Sequence, residues 1–577
     1  MYKVVVGIDF GSSGSGFAYS FMNDKDINHG YIHGSNVDNK VPTEIILDDN
    51  YDVVQFGAGC KQYLKEKGMN TGYYFKNIKM HLYSREVFIK SDNRNRFFPL
   101  KVIIQKVLES LKELCKEELI KLWKTINESN IKWIVTVPAI WEDFQKNIMM
   151  EACIDAGLVN ENTDKSLFFA LEPEAASLYC SRNKDINQDY LKEGKDYIIC
   201  DLGGGTGDIV AHKVGCNNNL EELISASGGN YGSNEIDKQI FNDIIYKIFG
   251  LKDYNSLCEK NKNLNINENN EVLFEAWCEL ERLIKDYKEG ANLDKIKKKL
   301  KFPINCSLFQ DFIDDDKDLD NLINNYNSDC YENDLKLNIK SKKKWIIEFP
   351  YKIIYNYIKR QAINISKAIK NIINKSKSNI DSVIFVGGYC SNDILMHLIK
   401  TDLGKAINTF LMPSKPCLAI MEGAVLFGIN PNIISSRIAK YTIGTDVRLP
   451  WDEKKYSKNG RKVFDDVDNK WVCKDCFSKY IEINQKIKVG EEITNTYVMT
   501  KPRYCTMYFY KSINPNPIYT FEEGVEEIGK CTLDAKKDYP PGERKISLTM
   551  KFGGTFIDIK AIHIKSNEEI KATLKFN

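Results

Sequence analysis

Hydrophobic and polar positions along the chain fall into two regimes that change near residue 440. Before that point, short apolar runs alternate with stretches of helical spacing. Val4 to Ile8, Ile131 to Val137, Leu167 to Leu171 and Ser382 to Val386 are runs of strand length with little polar interruption, the pattern of strands buried on both faces. Residues 98 to 121, Phe144 to Ala156, Leu273 to Lys288 and Trp345 to Ile373 repeat apolar positions every three or four residues, which predicts amphipathic helices. Gly157 offers a left-handed cap to the second of them. Pro173 sits in the tolerated first turn of another, opening at Glu172. Strands that alternate with helices predict layered α/β lobes. From Tyr441 the texture changes: Thr494 to Met499, Cys505 to Tyr510, Lys545 to Met550, Thr555 to Ile559 and Ile570 to Leu574 alternate in short segments with turn residues between them. That spacing predicts an antiparallel sandwich.

One local pattern occurs twice. Val6-Gly7-Ile8-Asp9-Phe10-Gly11-Ser12-Ser13-Gly14 and Ile199-Cys200-Asp201-Leu202-Gly203-Gly204-Gly205-Thr206-Gly207 each read as a strand ending in aspartate, a turn of glycines and hydroxyls, and a second run. Such turns expose successive backbone N–H groups with no Cβ in the way, which suits them to phosphate. Asp9 and Asp201 then stand at strand ends, where the Mg²⁺ that escorts phosphates needs hard oxygen acceptors for its waters. Two copies in the same order imply a duplicated α/β lobe with one nucleotide between the halves. Further glycine turns occur at Gly228-Gly229 and at Gly387-Gly388-Tyr389, the second directly after an apolar strand.

With 577 residues the chain exceeds a single core, and length suggests three or four units of roughly 100–200 residues. Its 81 basic and 79 acidic residues nearly cancel, so no global field draws it to nucleic acid or membrane. No apolar run has the length of a membrane span, and the start reads straight into Asp9 without a signal sequence. The 16 scattered cysteines form no disulfide framework, and a cytoplasmic setting with reduced thiols is expected. Cys473-Lys474-Asp475-Cys476 is a lone pair of thiols lacking two further zinc ligands. Asn261 to Asn270, Lys297 to Lys299 and Asp314 to Asp316 read as solvated faces or insertions, and His29 and His33 as surface residues.

These motifs in this order resemble the ATPase domain of the 70-kDa heat-shock chaperones: Gly7 to Ser13, Val135-Thr136-Val137-Pro138-Ala139, Glu172-Pro173, Asp201 to Thr206 and Val386-Gly387-Gly388. Leu171 to Tyr179, Glu422 to Pro431 and Phe477 to Tyr480 look closer to the divergent type-12 branch. The resemblance implies a duplicated actin-like (ribonuclease H-like) ATPase followed by a peptide-binding β-sandwich. Lobe I is expected at 1–195, lobe II at 196–437 with an inserted subdomain at about 230–345, and the sandwich at 438–577 without a helical lid.

Carried over residue by residue, the resemblance makes Asp9, Glu172 and Asp201 catalytic, joined by Lys79 or its neighbour Lys76. Asp201 or Glu172 orients the attacking water, and Asp9 and Asp201 hold Mg²⁺ through water. Gly11, Ser12, Ser13, Gly203, Gly204, Gly205 and Thr206 hold the phosphates of ATP or ADP, with Gly228 and Gly229 nearby. Glu279 and Arg282 face ribose and adenine, beside Gly387, Gly388 and Tyr389; without the family's usual arginine, the turn implies either weaker adenine affinity or base stacking by Tyr389. Polypeptide clients or partner proteins are the expected partners. One departure concerns Ile433 to Lys440, where Arg437 and Lys440 replace the acidic character of the family's linker, so coupling between domains below about 1 kcal/mol is expected. A small-molecule kinase of the same fold and a nucleotide-binding scaffold without turnover are the competing readings. Phosphate release without an acceptor separates them.

Overall fold

The computed structural model describes residues 2–573 apart from 23, 25, 31–39, 160–165, 264–269, 304–315, 331, 342–345, 457–459 and 466–468. His33, Asp314, Asp315 and most of the Asn261 to Asn270 stretch lie outside the described residues.

The duplication inferred from the hairpins extends to whole sheets. In the first, Leu167–Leu171, Ile131–Val137 and Val4–Asp9 run parallel, and Gly14–Phe21 and Asn28–His29 continue antiparallel. The second repeats this order with Thr409–Leu411, Ser382–Val386 and Asp196–Leu202 parallel, then Gly207–Val214 and Leu220–Gly229 antiparallel. Val4–Asp9 is buried throughout and Asp196–Leu202 in all but its first residue, which explains their mostly apolar sequences. Each parallel strand therefore delivers its last residue to the same end of its sheet, and the two hairpins meet across one cleft.

Helices expected at residues 98 to 121, Phe144 to Ala156 and Leu273 to Lys288 are found at Leu100–Leu122, Asp143–Asp155 and Asn270–Glu289. The helix expected from Trp345 begins only at Tyr351, because Ile346–Pro350 is the middle strand of a three-stranded sheet inserted in the second lobe. Pro350 sets the break: without an N–H it cannot sit inside a helix, and it stands as the N-cap instead.

Past residue 440, a five-stranded and a four-stranded antiparallel sheet share one core. Phe509, Ile528 and Leu533 from the first pack with Ile546, Leu548, Met550 and Ile559 from the second. The strand expected from Thr555 starts at Asp558; Thr555 and Phe556 instead reach the first lobe, where Thr555 Oγ1 donates to the Phe169 carbonyl at 3.0 Å and the Phe556 ring meets Phe169. Among the described residues every cysteine is free, and no helix is long and apolar enough to cross a membrane.

Candidate functional site

The two turns face each other in near contact. A Cβ on Gly204 would lie 2.0 Å from Ser13 Oγ, and one on Gly205 2.3 Å from Ser12 Oγ, so only glycine lets the hairpins approach this closely. Thr43 Oγ1 donates to the Gly11 carbonyl at 2.8 Å, Gly203 N–H donates to the Thr206 carbonyl at 3.1 Å, and Asn234 N–H to the Gly204 carbonyl at 2.8 Å, which fixes both turns. Gly228 and Gly229 pair with Asp208 and Gly207 and so buttress the second hairpin from behind. In this arrangement the turns touch.

Below the turns lies a buried cluster of opposite charges. Asp9, Glu172, Asp201 and Asp208 are all buried, and Lys79 is buried with them. Lys79 Nζ donates to Glu172 Oε1 at 2.6 Å and lies 5.6 Å from the centre of the Trp141 ring. Lys40 Nζ donates to Asp9 Oδ2 at 2.6 Å. Asp208 stands opposite Asp201 in the strand register and accepts from Ile140 N–H at 3.0 Å. Burial, and then the neighbouring carboxylates, hold Asp201 and Glu172 well above the ordinary carboxylate range. Lys79 resists its own burial because Glu172 and Asp9 keep its ammonium protonated.

This donor set fits a hydrated divalent cation. Four carboxylates face two ammonium groups, and burial, followed by repulsion among the carboxylates, raises the carboxyls. Among the described residues no three His, Cys, Asp or Glu side chains converge as a direct metal cage, which accords with an ion held through its water shell.

The two lysines stand in different places. Asn77 takes a left-handed conformation at φ 52°, starting a short helix, so Lys76 and Lys79 leave in different directions. Lys79 joins the cluster, whereas Lys76 pairs with Glu281 on the helix Asn270–Glu289, as does Lys61 at 3.1 Å. These pairs bridge the two lobes above the turns.

Glu279 and Arg282 are not brought to the cleft. They pair with each other, and Arg282 with Asp286, on the exposed side of the helix. Glu281 instead pairs with Lys76 and Lys61, and Lys288 on the same helix bonds Asp237 at 2.6 Å. The expected stacking by Tyr389 is likewise corrected: its ring is buried in the core of the second lobe rather than open to a base. Gly387, at φ 88°, takes the chain out of its strand beside Asp201, and the space over Gly388 is open. His29 is partly buried against Glu422 at 2.9 Å.

No family model matches the chain. "Heat shock 70 kDa protein 12A" of Homo sapiens is 26% identical over 648 aligned positions, covering 100% of this chain and 92% of that protein. "Heat shock 70 kDa protein 12B" of Homo sapiens is 24% identical, covering 100% and 91%. "Chaperone protein DnaK" of Ureaplasma urealyticum serovar 10 is 25% identical over 447 positions, 77% of this chain and 62% of that protein.

Along its whole length the chain is similar to members of the 70-kDa heat-shock family. Within it, the matches along the whole chain are to the type-12 branch. The segment that follows the second lobe makes a charged contact with both the first lobe and the sandwich. Ile434–Ile438 is a strand of the second lobe's sheet, between Leu220–Gly229 and Lys486–Lys488. Arg437 makes a two-pronged ion pair with Glu174, both bonds 2.7 Å, and donates to the Gly553 carbonyl of the sandwich at 2.9 Å. Lys440 Nζ donates to the Ala139 carbonyl at 3.1 Å. The two basic residues thus make the contact that composition alone suggested they would weaken, because the acids stand on the ATPase side.

Glu222 completes this contact by accepting Ile438 N–H at 2.8 Å. Burial pushes its carboxyl up to about 7, with Glu174 adding and the Ile438 amide, Arg437 and Lys440 opposing. A value raised in the folded protein means stability present in acid and lost as pH rises through about 7. The strand Ile434–Ile438 is therefore expected to loosen from mildly acidic to mildly alkaline pH. Hydrogen exchange at the Ile438 amide, corrected for intrinsic rates, reads this directly. A loosening that persists unchanged in Glu222→Gln would rule out Glu222 as its origin.

Proposed function

We propose that the protein hydrolyses ATP in this cleft and uses the nucleotide to control polypeptide binding by its C-terminal sandwich. The observation that carries the reading is the buried group of Asp9, Glu172, Asp201, Asp208 and Lys79 directly beneath two facing glycine turns. When bound, Mg²⁺ would neutralise charge on the phosphates. Asp9 and Asp201 would hold its waters, and the amides and hydroxyls of Gly11 to Ser13 and Gly203 to Thr206 would bind the phosphates. Glu172 fixes the Lys79 ammonium, so one cation is already aimed when ATP arrives. Its raised carboxyl also lies nearer working pH, where a base that orients and deprotonates water is most effective.

In this reading residues 1–195 and 196–437 are the lobes of the clamp, and 438–577 is the module it controls; Asp196 opening the second sheet supports the first boundary. Clients or partner proteins would occupy the sandwich in a cytoplasmic setting. The test is release of phosphate from MgATP by the purified protein with no acceptor added. Steady release is expected. Tight binding without release would favour the scaffold reading, and release only with an added small-molecule acceptor the kinase.

A further inference from the structure

Lys40 belongs to none of the motifs that define the site. It precedes the two-residue strand Val41–Pro42, which pairs with Gly14 and Ser15 at the foot of the first hairpin. That register carries its stem along the hairpin and its ammonium into the cluster. Nζ lies 2.6 Å from Asp9 Oδ2, with the lysine side chain 15% exposed and the aspartate 6%. Asp201, from the opposite lobe, is also within electrostatic reach. Lys79, the other ammonium of the cluster, is taken by Glu172. Asp9, proposed above to hold the waters of the ion, therefore meets a cation supplied by its own chain.

We propose that Lys40 is a tethered cation of the phosphate site, standing at Asp9 when no divalent ion is bound and turning onto a phosphate oxygen when an ion takes Asp9. A lysine suits this exchange, since its charge is compact and its four-carbon stem flexible. Binding of an ion alone must then displace an incumbent, whereas a nucleotide gives the displaced ammonium a new partner. The proposal rests on the nucleotide reading of the cleft, and two measurements keep the two ideas apart.

In the first, ATP affinity is measured by calorimetry on the wild type and Lys40→Met, in excess EDTA and in excess Mg²⁺. The variant is expected to lose about tenfold or more in Mg²⁺ and less than about threefold in EDTA, because only when an ion occupies Asp9 does Lys40 turn onto the phosphate. In the second, Mn²⁺ binding to nucleotide-free protein is followed by electron paramagnetic resonance. Lys40→Met is expected to bind Mn²⁺ more tightly, by about tenfold, and Lys40→Arg to stay near the wild type. Circular dichroism confirms folding, and Lys40→Gln, which keeps length and a donor, replaces the methionine variant if that does not fold. Equal ATP affinity in Mg²⁺ together with equal Mn²⁺ affinity overturns the proposal. Failure of the wild type to bind ATP under either condition overturns the nucleotide reading instead, and the Mn²⁺ titration still decides whether Lys40 competes for the cation position.

Discussion

Asp201→Asn is expected to reduce ATP turnover by a factor on the order of 10² or more while leaving the fold and most of the nucleotide affinity in place. Asp201 ends nearly at the cleft on a strand buried in all but its first residue, flanked by Val386 in one neighbour and by Asp208 in the other. An amide keeps its shape but loses the charge that would orient the ion's waters or the attacking one. The loss should appear in kcat rather than in KM, because the ground-state phosphates are held mainly by the turns. The same change relieves crowding among Asp9, Asp201 and Asp208, so thermal stability without nucleotide should hold or rise. This separates a catalytic effect from a folding defect. Unchanged phosphate release in the variant would remove Asp201 from the mechanism.

What was legible in the sequence, and what was not, follows the range of the interactions concerned. The hairpins around Asp9 and Asp201 were readable because their chemistry is local: strand, acid, glycine turn and return strand lie within about a dozen consecutive residues. The doubly repeated sheet followed from the same local pattern. Asp208 was also within reach, since a second acid directly across the hairpin register from Asp201 is a signal in itself.

Other residues depended on the third dimension. Lys76 and Lys79 share one segment, and only the turn at Asn77 sends them to different partners. Glu279 and Glu281 sit two positions apart on one helix, about 200° around its axis, so a small error in facing exchanges the partner of Lys76 for an exposed residue. Lys40 reaches Asp9 through a pairing 31 residues away in sequence and carries no motif. Tyr389 was placed from the position of the turn, but an aromatic ring gains more from burial in the adjoining core than from lining an open cleft. For Arg437 and Lys440, the charge of one side of a contact was read without its partners. An inverted pair is as complementary as the usual one.

That inverted pair makes communication between the domains the second large expected effect. Glu174 lies two residues beyond Glu172 on the same helix, so one turn carries both the carboxylate that holds Lys79 and the one that holds Arg437. Arg437 in turn grips the Gly553 carbonyl, and Lys440 grips the loop whose next amide, that of Ile140, binds Asp208. Parting of the lobes around a nucleotide would therefore move both anchors of the sandwich. On this geometry, coupling between ATP and peptide is expected at 1–3 kcal/mol, the range typical of allosteric proteins, rather than below about 1 kcal/mol as linker composition suggested. Arg437→Ala leaves Glu174 buried without its partner, which costs about 3–5 kcal/mol when a buried pair is broken from one side. The docked arrangement should then be lost, and the coupling with it. One peptide selected from an unbiased array is titrated with and without saturating ATP in the Asp201→Asn background, and again with Arg437→Ala, Glu174→Ala and both together. The Asp201→Asn protein should show at least about a fivefold shift in Kd, and the single variants less than about twofold. The double variant should be less destabilised than the sum of the singles, because it removes both buried charges. A shift that survives unchanged in Arg437→Ala would show that coupling runs through another contact, and a shift under about twofold with Arg437 intact would show that this docked strand transmits nothing.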